Sequence, residues 1–263
     1  NIFSPFYLKY IFFIQNFDLR FYQFFPQSWS LSIEEWFYLL FPVVIFLILK
    51  LFPTKKKLAI LSAVLIFLLI CLMMRIWFYV HVYEDHTFRN FAFMRSIVTT
   101  RVDSIAVGVF GAWLRFYFPN IYNKNNKTYF LIGLIAFMVL HIQKNNSLFY
   151  GTTITFFEWN FSLILSSFAV LLLFPTLEKI EIKNELLHRF FTHTSKVSYS
   201  MYLIHFTFLM TSLYLIFTAL KIDNAVLFAV VYFVLLYALT AFNYQFFEKR
   251  FMDYRQKFVS KYF

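Results

Sequence analysis

Long apolar runs recur along the whole chain, and only short polar segments separate them. A helix that crosses a lipid bilayer needs about 20 mostly apolar residues, with a range of about 17–25. Runs of this kind predict seven spans, at 36–52, 58–80, 102–118, 128–143, 157–174, 197–217 and 223–244. We therefore predict an all-α fold, a polytopic transmembrane helix bundle that forms a single domain over residues 1–263.

Composition and charge narrow the class further. The chain is 61% hydrophobic and 14% charged, whereas a soluble domain is about 25% charged. Two thirds of the 24 Lys and Arg residues fall in loops on one side of the predicted bundle, and such an excess marks the cytoplasmic side. The C-terminal tail is therefore expected in the cytoplasm and residues 1–35 on the outer face. These loops also account for the net charge of +11, so we expect membrane lipid as a partner and no nucleic acid.

The chain offers little for disulfide or metal chemistry. Cys71 is the only cysteine, which excludes an intrachain disulfide and a cysteine-based metal site. The histidines at 81, 86, 188 and 193 are expected in loops. His188 and His193 are five residues apart, which does not fit a metal pair on one helix face. No metal site is predicted.

Two adjacent carboxylates, Glu34 and Glu35, come directly before the first apolar run. Ser32 followed three residues later by Glu35 matches a capping box, and acids in a first helical turn also favour the helix dipole. A capping role requires only one carboxylate, and two are present. Glu34 shares a helix face with Tyr38, four residues later. Capping and a role in a site both remain open from these residues alone.

Arg101 and Asp103 open the third predicted span. Ionisable residues at membrane depth usually face a cavity or a partner, although Arg101 could also extend to the membrane surface. Two residues apart on a helix they do not face one another, so each needs its own partner. Ser104, Gly108 and Ala112 form a ridge of small residues that predicts close packing against a neighbouring helix.

Two further polar residues lie at or inside the last two spans. His205 lies within an apolar helix, three residues after Tyr202, and is either a hydrogen-bonded core residue or a functional one. Glu248 comes where the last span ends, and either pairs with Lys249 and Arg250 or serves a site.

Four stretches in this order resemble the acyltransferase-3 family of bacterial membrane enzymes, which includes O-antigen and peptidoglycan O-acetylases. They are SWSLSIEEWFYLLFP, TTRVDSIAVGVF, VSYSMYLIHF and FFEKRF. Arg250 stands where the family usually has proline. The resemblance implies transfer of an acyl group, acetyl by expectation, from cytoplasmic acyl-CoA to a hydroxyl of a cell-surface or periplasmic glycan or lipid-linked saccharide. Acyl-CoA is then a co-substrate and no cofactor is bound, and the protein belongs in a bacterial inner membrane.

The resemblance also implies roles for named residues. The catalytic candidates are Glu34, Glu35, Arg101, Asp103 and His205. The substrate-binding candidates are Trp29, Ser30, Tyr38, Tyr202 and Glu248. With the predicted orientation, the first four catalytic candidates face the acceptor side. His205 and Glu248 face the donor side, so that donor and acceptor would approach from opposite sides of the membrane.

The seven predicted spans match the last spans of the family's larger domain. The family's first-span histidine, regarded as its catalytic base, and its Arg-x-x-Arg motif have no counterpart here, so an incomplete or inactive portion of an enzyme is expected. The alternative is a transporter or flippase for lipid-linked glycans. Such proteins favour spans interrupted by Gly or Pro, and the scarcity of both inside the predicted spans, where Pro42 is the only proline, argues against this alternative.

Overall fold

The computed structural model describes residues 5–17, 25–150 and 153–262, with the backbone alone at 5, 6, 143–150, 261 and 262. Throughout these ranges the regular elements are helices, which confirms the predicted all-α fold. They are α1 Pro5–Ile11, a 3₁₀ turn Pro26–Ser28, α2 Trp29–Leu51, α3 Lys56–His81, α4 Phe88–Met94, α5 Val98–Arg101, α6 Asp103–Tyr117, α7 Pro119–Lys124, α8 Asn126–Tyr150, α9 Phe156–Leu171, α10 Phe174–Leu177, α11 Glu185–Ile204, a π-helical turn His205–Met210, α12 Thr211–Ala219, α13 Ala225–Asn243, a second π-helical turn Tyr244–Glu248 and α14 Lys249–Tyr262.

Five helical segments of the described chain are long and apolar enough to cross a membrane. They are Pro26–Leu51, Lys56–His81, Phe156–Leu177, Glu185–Ala219 and Ala225–Ser260. A sixth arises if the bent pair Phe88–Met94 and Val98–Tyr117 is one span, and Asn126–Ile142 is a shorter apolar helix. Each predicted range falls on a helix, but the count of seven spans stays a prediction.

The chain divides into two compact units, and each is described by itself. The first comprises Asn1–Tyr22 and Trp29–Ile180, and the second comprises Gln23–Ser28 and Glu181–Phe263.

The core of the first unit forms where α2, α3 and α6 pack together. Ile33 and Phe37 are four residues apart on α2 and present one apolar stripe, which meets Phe67 and Cys71 of α3. The Phe37 and Phe67 ring centroids lie 5.3 Å apart. A second apolar cluster forms around Trp159 of α9, which is fully buried. These two clusters fix α3, α6 and α9, the helices from which the candidate site is built.

A sharp break separates α4 from the α5–α6 segment. The two parts are bent by 99° at residues 95–97. Backbone groups freed by a break at membrane depth must find partners within the protein, and here two side chains supply donors. The buried Thr100 hydroxyl lies 2.5 Å from the Met94 carbonyl oxygen and 3.0 Å from that of Ile97. The Ser96 hydroxyl donates to the Phe93 carbonyl oxygen at 2.7 Å.

The second unit contains α11 to α14. Its first helix begins at Glu185, twelve residues before the predicted span, and the Asn184 side chain accepts a hydrogen bond from the Leu187 amide at 3.1 Å. His188 and His193 therefore lie in a helix, and their expected place in loops was wrong. His193 Nδ1 is 2.8 Å from the Tyr237 hydroxyl, which links α11 to α13.

Candidate functional site

A fully buried ion pair lies inside the first unit. Arg75 of α3 donates from Nη2 to Asp103 Oδ2 of α6 at 2.6 Å, and both side chains are 0% exposed. Asp103 therefore has the separate partner that the sequence predicted. The pair is not saturated, because Arg75 Nε, Arg75 Nη1 and Asp103 Oδ1 are buried and find no partner in the described part of the chain.

A cavity of about 430 Å³ lies beside this pair in the same unit. Its polar lining comes from Arg95 at the helix break, Arg101 and Ser104 before and within α6, His141 of α8, and the serines of α9. The full lining is Trp29, Arg95, Arg101, Ser104, Val107, Gly108, Phe137, His141, Leu163, Ser166, Ser167, Val170, Leu171 and Phe174. Among the described residues this lining includes two arginines and no Asp or Glu, so it is cationic.

Arg101 is directed inward. Its Nη1 atom is buried and has no hydrogen-bond partner among the described residues, so the alternative in which Arg101 extends to the membrane surface was wrong. A buried guanidinium N–H without an acceptor is costly. Arg101 also lines the cavity and brings a positive charge to it.

The predicted ridge of small residues does not pack as expected. A methyl group on Gly108 would meet no described atom within 4 Å, and Ala112 is exposed. The close approach occurs instead at Gly111, where a methyl group would lie 2.2 Å from Leu171 Cδ1 of the α9 helix. Ser104 and Gly108 line the cavity, so this face of α6 makes room for a ligand.

Glu34 and Glu35 are both exposed on α2, and α2 begins at Trp29. Ser32 thus lies inside the helix and is fully buried, so the predicted Ser32–Glu35 capping box was wrong. Neither carboxylate forms an ion pair within the described chain, and neither lines the cavity. Tyr38 is exposed on the same helix.

Trp29 is the one substrate-binding candidate that the structure places at the cavity together with Arg101. Its backbone is held by Asn16, whose Nδ2 donates to the Trp29 carbonyl oxygen at 2.7 Å and to the Ser96 carbonyl oxygen at 2.9 Å. Asn16 therefore joins the start of α2 to the helix break next to Arg95. Ser30, the next candidate, does not line the cavity.

His205 and Tyr202 lie in the second unit, in a network around Gln27. The Tyr202 hydroxyl donates to the Gln27 carbonyl oxygen at 2.7 Å, and Gln27 Nε2 donates to the Leu203 carbonyl oxygen at 2.9 Å. His205 Nδ1 lies 2.6 Å from the Tyr202 carbonyl oxygen. A carbonyl only accepts, so Nδ1 carries a proton, and in a neutral ring Nε2 is then the acceptor.

Glu248 also lies in the second unit. It accepts a short hydrogen bond from the Ser200 hydroxyl, and Asn243 Nδ2 lies 2.6 Å from the same Ser200 oxygen. Within the described chain Glu248 forms no ion pair with Lys249 or Arg250, so the pairing alternative was wrong. Glu248 instead belongs to a polar contact that joins α11 to the end of α13.

Comparison with known proteins decides the family. The family model described as an acyltransferase domain, that of the acyltransferase-3 family, matches residues 1–243. The chain belongs to the acyltransferase-3 family. No curated protein and no solved structure matches this chain at a significant level.

Sequence reasoning missed three residues in the first unit of this chain. Arg75 is a lone cation inside the apolar run LLICLMMRIWFYV. A charged side chain at membrane depth is energetically costly unless it is paired, so its position indicates a partner. His141 stood out in the same way, inside the fourth predicted span. Arg95 gave no comparable signal, because it precedes the predicted third span and only the helix break brings it to the cavity.

Proposed function

We propose that this protein of the acyltransferase-3 family moves an acyl group, acetyl in the simplest case, from acyl-CoA to a hydroxyl of a glycan or lipid-linked saccharide. The family match over residues 1–243 supports the reaction class. The observation that carries the site is the cationic cavity of the first unit, where Arg101 keeps a buried donor without a partner. The described part of the chain has five or six candidate membrane spans. A site among such helices is consistent with an acceptor that reaches the enzyme in the membrane.

Acyl transfer requires a base and hydrogen-bond donors, and residues of the first unit are proposed for the donors. The acceptor hydroxyl attacks the thioester carbonyl, its proton passes to a base, and the carbonyl oxygen becomes negative before the CoA thiolate leaves. Fixed donors aimed at that oxygen lower the barrier in a water-poor site, and Arg101 and Arg95 offer such donors. Asp103 and Arg75 act as positioning residues, because their buried pair fixes the start of α6 and so the place of Arg101.

The base is proposed to be one of two histidines, each with Nδ1 close to a backbone carbonyl oxygen about one helical turn earlier. His205 Nδ1 faces the Tyr202 carbonyl oxygen at 2.6 Å, and His141 Nδ1 faces the Phe137 carbonyl oxygen at 2.9 Å. Each ring therefore has Nε2 available to accept a proton. His205 is the candidate that the family resemblance marks, and His141 is the one that shares the cavity with the arginines.

The test uses the complete gene product, purified into nanodiscs and supplied with acetyl-CoA and cell-envelope glycans. CoA release and ester formation, the latter by mass spectrometry, are both measured. Removing one oxyanion donor costs about 10²–10³-fold in rate, so Arg101→Gln should lose that much. Arg115→Gln is the matched control, because Arg115 lies on the following helix α6, is exposed and is paired with Glu178 at 3.2 Å. Absence of ester with every glycan, or an undiminished Arg101→Gln variant, counts against the proposal.

A transporter of lipid-linked glycans is the second candidate, and one observation favours it. The 99° break at residues 95–97 lies beside the cavity, and interrupted spans at a substrate site are typical of transporters. The break contains neither Gly nor Pro, so the scarcity of these residues in the spans does not exclude an interrupted span. Movement of a labelled lipid-linked saccharide across proteoliposomes without acyl-CoA would favour transport, whereas ester formation that requires acyl-CoA favours the acyltransferase.

A further inference from the structure

We infer that the cavity of the first unit binds an anionic group, a phosphate or a carboxylate, and that the acceptor of the proposed reaction is therefore acidic. The role as acceptor rests on the proposed acyl transfer. The anion site itself rests on the geometry of the cavity and is tested separately below.

The charges of the lining support an anion. Arg95 and Arg101 both line the cavity, and within the described residues no carboxylate lies within 4 Å of either guanidinium. Asp103 is the nearest acid in sequence, and it forms its ion pair with Arg75 at 2.6 Å while its charge also acts on Arg101. Two guanidinium groups that line one pocket and form no ion pair of their own in the described chain favour phosphate or carboxylate, whose oxygens match their donors.

The hydroxyl groups of the cavity donate to the helix backbone and supply no donor to a ligand in this arrangement. Ser104 donates to the Arg101 carbonyl oxygen at 2.9 Å, Ser166 to the Ser162 carbonyl oxygen at 2.7 Å, and Ser167 to the Leu163 carbonyl oxygen at 3.0 Å. Their protons are thus engaged by the helix backbone. The positive charge of this lining comes from Arg95 and Arg101.

The cavity is also large enough for such a group. Its volume of about 430 Å³ falls within the usual range of small-molecule sites, about 300–1,000 Å³. Gly108 keeps one wall open, because a methyl group there would meet nothing described within 4 Å. The same position offers a reporter that does not disturb its neighbours.

The experiment places a cysteine at Gly108 and measures how fast it reacts with two methanethiosulfonate reagents of similar size and opposite charge. Cys71, the natural cysteine, is 0% exposed and gives a low background. The complete protein is used in phosphatidylcholine nanodiscs. The ratio of the anionic to the cationic rate constant reports the local potential. Ala112→Cys, exposed one turn further along α6 and outside the cavity, is the matched control.

We expect the ratio at Gly108→Cys to exceed that at Ala112→Cys by about tenfold or more, the low end of electrostatic focusing in charged clefts. Adding Arg95→Gln or Arg101→Gln should lower the ratio by about threefold or more, and Arg→Lys at the same position should restore it because the charge returns. Arg115→Gln should leave it unchanged. Equal ratios at positions 108 and 112, or a ratio that Arg101→Gln and Arg95→Gln both leave unchanged, overturn the anion site. If either Gln variant does not fold, screening of the ratio by salt in the Gly108→Cys protein decides the same question.

Ligand protection distinguishes the sources of the anion. Inorganic pyrophosphate or glucuronate should slow labelling of Gly108→Cys, and glucose at the same concentration should not. Slowing by phosphatidylglycerol nanodiscs, in the absence of added anion, assigns the site to a lipid headgroup and removes the acidic acceptor. Protection by none of these anions overturns the inference. Acyl transfer is measured in parallel, so an anion effect without ester formation removes only the proposed function, whereas ester formation on neutral glycans alone removes only the acidic acceptor.

Discussion

The buried Arg75–Asp103 pair allows a quantitative prediction. Its atoms are 2.6 Å apart and both side chains are 0% exposed, so two charges at an effective dielectric of about 20 attract by about 6 kcal/mol before desolvation is subtracted. Removing one partner of such a pair typically costs about 3–5 kcal/mol, because the other charge stays buried alone. We expect Asp103→Ala to lower the free energy of unfolding by about 3 kcal/mol, the low end of this range. The pair forms a single hydrogen bond and leaves three buried atoms without partners in the described chain.

The assay is thermal unfolding of the purified protein in one detergent, followed by light scattering and tryptophan fluorescence. For a chain of roughly this size, 1 kcal/mol shifts Tm by about 2–4 °C, so Asp103→Ala should lower Tm by about 6–12 °C. The double variant Arg75→Met, Asp103→Leu removes both charges and keeps apolar volume, and such replacements are often neutral or stabilising. It should therefore recover most of the loss. An unchanged Tm for Asp103→Ala, or a double variant less stable than either single variant, would refute this account.

Four further outcomes follow from particular contacts. Thr100→Val should cost about 1–3 kcal/mol, because the hydroxyl that serves the helix break is lost, and Thr100→Ser should retain most stability in the same assay. Arg115→Gln should cost less than about 1 kcal/mol, since its ion pair with Glu178 is half-exposed. With capping excluded for Glu34 and Glu35, we expect Gln at one of them to lower acyl transfer by about 100-fold or more, and full activity of both variants would remove them from the site. Cysteine at Ser260 should resist an impermeant thiol reagent on intact cells, and cysteine at Asp223 should react, because the basic residues predict a cytoplasmic tail.

Helix positions were the most predictable part of the fold. A long apolar run has few interpretations other than a membrane helix, because the bilayer fixes the length and composition of such helices. The boundaries were less predictable. α11 starts at Glu185 because Asn184 caps it, and the residues between 185 and 196 are too polar for the apolar pattern to include them. The same reasoning misplaced the start of α2, where a 3₁₀ turn at Pro26–Ser28 precedes Trp29.

The candidate site was predictable in part. Arg101 and Asp103 were both expected to need separate partners, and Asp103 has one in Arg75. The pairing itself depends on the rotation of α3 against α6, which one sequence does not specify. Likewise the choice of Gly111 rather than Gly108 for close packing is set by where Leu171 lies, and small residues three apart on a helix look alike in a sequence.

The helix break explains why the cavity could not be anticipated from motifs. Gly and Pro are the residues from which a broken span is usually predicted, and residues 95–97 are Arg, Ser and Ile. Here the bend is stabilised by side chains instead, since the hydroxyls of Ser96 and Thr100 donate to carbonyl oxygens before and within the bend. Because the bend brings Arg95 to the cavity that Arg101 lines, the two charges are close only as long as those hydroxyls hold the bend. Loss of Thr100 should therefore weaken the anion preference of the cavity as well as the fold, and Thr100→Val in the Gly108→Cys protein measures both with one variant.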